Sequence, residues 1–222
     1  MKVIIFFDIN GTIIKRDART DIPFELSIDE FLDRKGGMAG IDTSARSDMD
    51  VFGEVLRKFN MGFSELQWQH FLGIYKNYLV KYEETNIWQP NVDIKVFLKK
   101  LKARGCKLGL ISGEVKIGAE FKLKKIGLWE YFICGGFGED GLKRVDIAKA
   151  ALARAEKMFD KKNDRVIIIG DTIKDINTAR ALNAEIVSIA TGSDSYDELA
   201  KHQPDSLVRR FDEIDLARLL DE

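Results

Sequence analysis

The sequence predicts an α/β fold: a doubly wound parallel sheet covered by helices on both faces, with a helical insertion after its first strand. Three observations carry this. Short, continuous apolar runs recur, "VIIFF" at 3–7, "KLGLIS" at 107–112, "YFICGG" at 131–136, "RVIIIGD" at 165–171 and "EIVSIA" at 185–190. Runs of this kind read as strands buried on both faces. Helical periodicities separate the later runs, and strand alternating with helix implies right-handed crossovers. Between residue 15 and about residue 88 no continuous apolar run appears.

Each element has its own signal. Val3–Phe7 forms the first strand. Within the insertion, Val51, Val55, Leu56 and Phe59 share one helical face, and Trp68, Phe71, Leu72, Tyr75, Tyr78, Leu79 and Tyr82 share another. The glycine-rich stretch 34–48 between them reads as an exposed loop. Pro90 is placed to open a helix that leads into the second strand. Val145, Ala148, Leu152 and Ala155 mark a helix over 145–158. A further helix covers 173–182, and "EIDLARLL" closes the chain as another.

Bulk properties narrow the function. The chain has 222 residues, 45% hydrophobic and 32% charged, with a net charge of −1. That is an ordinary globule with ample core, and no charge excess points to a nucleic-acid or anionic-membrane partner. No stretch reaches the roughly 20 apolar residues of a membrane span. "VIIFF" is too short for a secretory signal, so the expected location is the cytoplasm. Cys106 and Cys134 each fall in an expected core strand and read as small buried residues.

Ligands of an open α/β sheet bind beyond the carboxyl ends of the strands. Asp8, Ser112 and Asp171 each end an apolar run and should emerge there together. "SGE" at 112–114 leads into a helix whose first N–H groups suit an anion. Lys143 and Arg144 begin the next helix, and "GDTIKDI" adds Asp175. Carboxylates with a backbone carbonyl make a hard-oxygen set suited to Mg²⁺. A cation and a hydroxyl complete a pocket for a phosphoryl group. Singly these signals are weak: Thr172–Asp175 is also a capping box, and Ser112 is also a helix cap. Four of them, in order and at one sheet edge, carry far more weight.

"FFDINGT", "LISGE", "LKR" and "IGDTIKD", in that order, resemble the haloacid dehalogenase (HAD) superfamily. "LISGEVKIGAEFKLKKIGLWEYFICGGFGED" further resembles its phosphoglycolate-phosphatase-like subgroup. The resemblance implies a Rossmann-like core, residues 1–14 and 89–222, with a C1-type helical cap at 15–88. It implies a Mg²⁺-dependent phosphatase of small phosphorylated metabolites, acting as monomer or homodimer. Asp8 would be the nucleophile, forming a phosphoaspartate. Mg²⁺ would be held by Asp8, the carbonyl of Asn10 and Asp171, with Asp175 in or near the second shell. Ser112, with Gly11, Thr12 and Gly113, would bind the phosphoryl group. "ARSD" at 45–48 resembles a cap motif whose arginine faces the site, making Arg46 a substrate-binding candidate.

Two departures stand out. The superfamily's phosphatases usually carry an aspartate where Asn10 stands. Its carbonyl role survives in Asn10; its proton role does not, and that role is typically worth ~10²–10⁴-fold. The expected chain binds well and turns over slowly. Asn10 would be either a change introduced to trap a complex or a natural variant, and Asn10→Asp is expected to raise hydrolysis by orders of magnitude. Other readings are a non-catalytic phosphometabolite binder, a metal-independent dehalogenase and, more weakly, a phosphomutase. The second departure is the absence of a "KPxP" signature. The basic role falls to Arg144, then Lys143, then Lys122, which sits over two turns into its helix.

Overall fold

A computed structural model describes residues 3–43, 46–159 and 165–220. Its centre is a six-stranded, all-parallel sheet in the order β3-β2-β1-β4-β5-β6. The strands are β1 (Val3–Phe7), β2 (Lys107–Ile111), β3 (Cys134–Gly136), β4 (Arg165–Gly170), β5 (Glu185–Ile189) and β6 (Ser206–Val208). The α/β class read from the apolar runs is the observed one. The "YFICGG" run is a strand only over its last three residues, because Trp129–Tyr131 forms a 3-10 turn. β6 sits in a mixed polar stretch that carries no apolar run, so sequence patterning misses it.

Alternation along β1 explains the layering. Ile5 and Phe7 face one way, against α4 (Ile94–Ala103) and α5 (Lys116–Lys125). Ile4 and Phe6 face the other, against α6 (Arg144–Phe159) and α7 (Ile173–Ala181). Both faces are dry, as a parallel sheet requires. The short α8 (Tyr196–Lys201) and α9 (Leu216–Leu220) finish the chain.

Between β1 and α4 lie α1 (Ile22–Phe31), α2 (Asp48–Lys58) and α3 (Glu65–Lys81). They share a second apolar cluster built on Phe24, Phe52, Trp68, Phe71 and Tyr75. Phe71 packs its ring against five others, with centroids 4.7 Å from Phe52, 5.1 Å from Phe24, 5.5 Å from Trp68, 6.2 Å from Tyr75 and 6.4 Å from Phe31. Val115 and, across a 5.8 Å ring contact with Trp88, Phe121 join this cluster to α5.

The two ends of that segment run side by side. Lys15 N–H donates to Gln89 O and Asn91 N–H to Ile13 O, both at 2.8 Å, and Ile14 bridges Pro90. Pro90 therefore sits in extended backbone and does not open a helix. The turn is made by Asp93 at φ 65°, after which α4 begins. Asn91 Nδ2 donates to Gly11 O and Thr12 O, at 2.9 and 2.8 Å, tying this junction to the loop after β1.

No helix among the described residues is long and apolar enough to cross a membrane. Phe71→Ala is expected to cost ~3–5 kcal/mol in urea unfolding, since a fully buried ring would leave a cavity its rigid aromatic neighbours cannot fill.

Candidate active site

Three strands deliver the site. Phe7 is level with Leu110 on β2 and with Ile169 on β4, so Asp8, Ser112 and Asp171 leave the sheet at one edge. Asp8 is still in the ladder, its N–H donating to Ile169 O at 2.9 Å. Its backbone is thereby fixed while its side chain is free to point beyond the sheet.

Arg144, the first residue of α6, reaches back over this edge. Its Nη2 donates to Asp8 Oδ1 and to Asp175 Oδ1, each at 2.5 Å, and its Nε donates to Asp175 at 2.8 Å. Asp175 spends its other oxygen on Thr172, accepting from the backbone N–H at 3.0 Å and the hydroxyl at 2.6 Å. Both Asp175 oxygens are thus engaged, and Asp175 braces Arg144.

Asp171 is fully buried. Thr12 Oγ1 donates to its Oδ1 at 2.9 Å, and the Ser193 N–H to its Oδ2 at 3.1 Å. Gly11, at φ +97°, lies so close that a Cβ there would fall 2.4 Å from Asp171 Oδ2. Gly11 and Thr12 therefore sit behind Asp171 and hold it in place. They do not line the cavity.

Asp8 and Asp171 are close enough that each bears on the other's charge. Burial lifts the Asp8 carboxyl to about 6, with Arg144 opposing and Asp175 adding to the rise. Burial, then Asp8 and Asp175, push Asp171 well above the usual carboxylate range. Burial alone would pull Arg144 down, but Asp175 and Asp8 outweigh it and raise it. Three carboxyls crowd one guanidinium. Among the described residues no group of three or more His, Cys, Asp or Glu side chains could hold a metal. Asp8 and Asp171, whose charges bear on each other, are the carboxyls whose repulsion a divalent cation would relieve.

The site opens into a cavity of about 210 Å³, walled by the sheet edge on one side and by the segment 15–88 on the other. Asp8, Asn10, Ser112, Gly113, Lys122 and Arg144 all line it. Gly113 is packed so tightly that a Cβ would lie 2.1 Å from Arg46 O. Its carbonyl accepts from Asp48 N–H at 2.8 Å, and Asp48 Oδ2 accepts from Val115 N–H at 2.9 Å, so the "SGE" loop is fastened to the start of α2. Arg46 reaches the cavity wall, yet its guanidinium pairs with Asp50 at 2.7 Å and Glu54 at 2.5 Å. Lys143 is exposed and outside the cavity lining. Its carbonyl accepts from Asp146 and Ile147 N–H and opens α6.

Lys122 is the surprise. It is only 2% exposed, and its Nζ lies 2.5 Å from Glu114 Oε1. Tyr75 OH donates to the same oxygen at 3.1 Å. Burial works against the Lys122 charge, but Glu114 outweighs it and raises the lysine. Asp48 is pushed well up by burial and by Glu114. Glu114, Tyr75 and Asp48 escape motif reading. The legible signal is the spacing Glu114, Gly118, Lys122, with Glu114 just before α5 and the other two one turn apart on it. A Cβ at Gly118 would meet Glu114 Oε1 at 2.6 Å and Tyr75 OH at 2.7 Å, so glycine makes room for the pair.

With that geometry in place, comparison with known proteins decides the family. The haloacid dehalogenase-like hydrolase model matches residues 3–183. The chain belongs to that family. A protein of Caldanaerobacter subterraneus named "Putative pyrophosphatase PpaX" is 26% identical over 204 residues, covering 92% of this chain and 89% of its own. A phosphoglycolate phosphatase of Nitrosococcus oceani is 29% identical over 114 residues, covering 51% of this chain and 50% of its own. Among solved structures, a HAD hydrolase of family IA, variant 3, from Entamoeba histolytica superposes with a TM-score of 0.68 at 16% identity, covering 100% of this chain and 98% of that one. That likeness concerns the fold.

Lys122→Ala would strand a buried carboxylate and is expected to cost ~3–5 kcal/mol in chemical denaturation. The paired change Lys122→Met with Glu114→Gln removes both charges and should cost clearly less.

Proposed function

We propose that this protein is a Mg²⁺-dependent phosphatase of small phosphorylated metabolites in which Asp8 attacks phosphorus and becomes a phosphoaspartate. The observation that carries this reading is the Arg144 guanidinium set 2.5 Å from Asp8 Oδ1, beside the buried Asp171, at the floor of a cavity. Family membership and the names of the relatives support it.

Asp8, Asp171 and the Asn10 carbonyl would hold the metal, which when bound supplies positive charge to the phosphoryl oxygens. The chain's own groups do the rest. Asp8 attacks phosphorus in line as the ester P–O bond breaks; the leaving oxygen takes a proton from water in the cavity, and a further water then cleaves the phosphoaspartate, releasing phosphate and freeing Asp8. Arg144 steadies Asp8 and offers charge to the transferring group. Ser112, buried at the sheet edge, donates its hydroxyl to a phosphoryl oxygen. Such a reaction runs on positioning and electrostatics. The segment 15–88 acts as a cap over the cleft, excluding water when closed. A volume near 210 Å³ suits a substrate of few carbons.

Asn10 also favours a second reading, a phosphometabolite binder that does not turn over. A panel of phosphorylated metabolites and p-nitrophenyl phosphate, assayed for phosphate release with Mg²⁺ and with EDTA, separates the two. Metal-dependent release is expected, with Asp8→Asn lowering kcat at least ~10⁴-fold. Ligand-induced thermal stabilisation without any release would favour the binder, and release unaffected by EDTA would remove the metal from the account.

A further inference from the structure

The side chain of Asn10 has a partner. Its Nδ2 donates to Glu114 Oε2 at 3.4 Å. Its Oδ1 is buried and has no hydrogen-bond partner. A carboxylate only accepts, so Glu114 dictates which way the amide faces: nitrogen toward Glu114, oxygen away. Glu114 cannot turn to suit Asn10, because Lys122 Nζ and Tyr75 OH hold its other oxygen at 2.5 and 3.1 Å. A buried acceptor without a donor is uncommon in native proteins and asks for one from outside the chain. Asn10 lines the same cavity as Asp8, two residues away.

We infer that Glu114 is a positioning residue: it orients the Asn10 amide so that Oδ1 accepts a hydrogen bond from the O–H of the water or alcohol beside Asp8. Asparagine is then the residue this pocket is built for. This rests on the phosphatase reading above. The same contact changes what an aspartate would do at position 10. Its carboxylate would face that of Glu114, with Asp48 already close by and Lys122 the cation shared between them. An aspartate would also offer no N–H for Glu114 Oε2 to accept, so the contact is lost and two like charges are set face to face. The expectation from sequence, that Asn10→Asp alone restores turnover, is replaced by a paired requirement: aspartate at position 10 works only when Glu114 is made neutral.

A double-mutant cycle of Asn10→Asp and Glu114→Gln tests this with two readouts, thermal unfolding and the kcat and KM of p-nitrophenyl phosphate hydrolysis with Mg²⁺. Asn10→Asp should lower the Tm by several degrees when Glu114 is present and by much less in the Glu114→Gln background. Its kcat should stay within about tenfold of the unsubstituted protein, whereas the double variant should exceed the Asn10→Asp single by ~10²-fold or more in kcat, with KM little changed. Equal Tm losses in both backgrounds, or a rise of ~10²-fold or more from Asn10→Asp alone, would overturn the inference. If Glu114→Gln does not fold because Lys122 is left unpaired, the cycle is run in the Lys122→Met, Glu114→Gln background. If no member hydrolyses the ester, the phosphatase reading fails, while the unfolding cycle still decides whether Asn10 and Glu114 are coupled.

Discussion

One guanidinium holds this site together. Asp8, Asp171 and Asp175 converge at the carboxyl edge of the sheet because β1 and β4 end there and α7 starts there. Three buried carboxyls in one place repel, and burial weakens the screening that bulk water gives. Arg144 answers two of them with short hydrogen bonds to Asp8 and Asp175. The third, Asp171, is left with a hydroxyl and a backbone N–H. On the proposed chemistry a cation would make good that shortfall of positive charge, and only then would the edge suit an anionic phosphoryl group.

A second charged pair does different work. Glu114 and Lys122 belong to the sheet-bearing part of the chain, yet Tyr75 of α3 donates to the same carboxylate. Ion pair, phenol and the aromatic cluster behind them dock the inserted helices on α5. The site cavity lies between the two layers, so its shape depends on this docking. A buried ion pair adds little net stability against an apolar alternative. Its value here lies in fixing the orientation of Glu114, and through it the amide of Asn10.

Much of the fold is legible in the sequence because a parallel sheet must be dry on both faces, and "VIIFF" and "RVIIIGD" are apolar enough to say so. β6 is an edge strand with only Val208 fully buried, so no apolar run marks it. Pro90 misleads because its fixed φ suits an extended segment as well as a helix start. In the site, Asp8, Ser112 and Asp171 are readable as strand ends, and their convergence follows from topology. Arg144 is readable as a cation at a helix start on the same edge. Lys143, its neighbour, lies just before α6 and is exposed to solvent. Lys122 is underrated by its place in the chain: its reach is set by how α5 lies along the cavity, which no local pattern records. Arg46 is readable as a cation near the cleft, but its partners Asp50 and Glu54 lie in α2, which starts just after it, and claim its charge. Gly11 and Thr12 carry the phosphate-loop look, yet a positive φ and a buried hydroxyl put them behind Asp171.

On the proposed chemistry the phosphoryl group resides on Asp8 between two steps, and an amide at position 10, unable to take a proton from water, should prolong that stay. Acid-quenched mass spectrometry of the protein during Mg²⁺-dependent turnover reads this directly. A phosphoryl group on the peptide carrying Asp8, lost in the Asp8→Asn variant, is the predicted result. Hydrolysis that proceeds while that peptide stays unmodified at every time point, or a phosphoryl group found on another residue, would contradict Asp8 as the nucleophile.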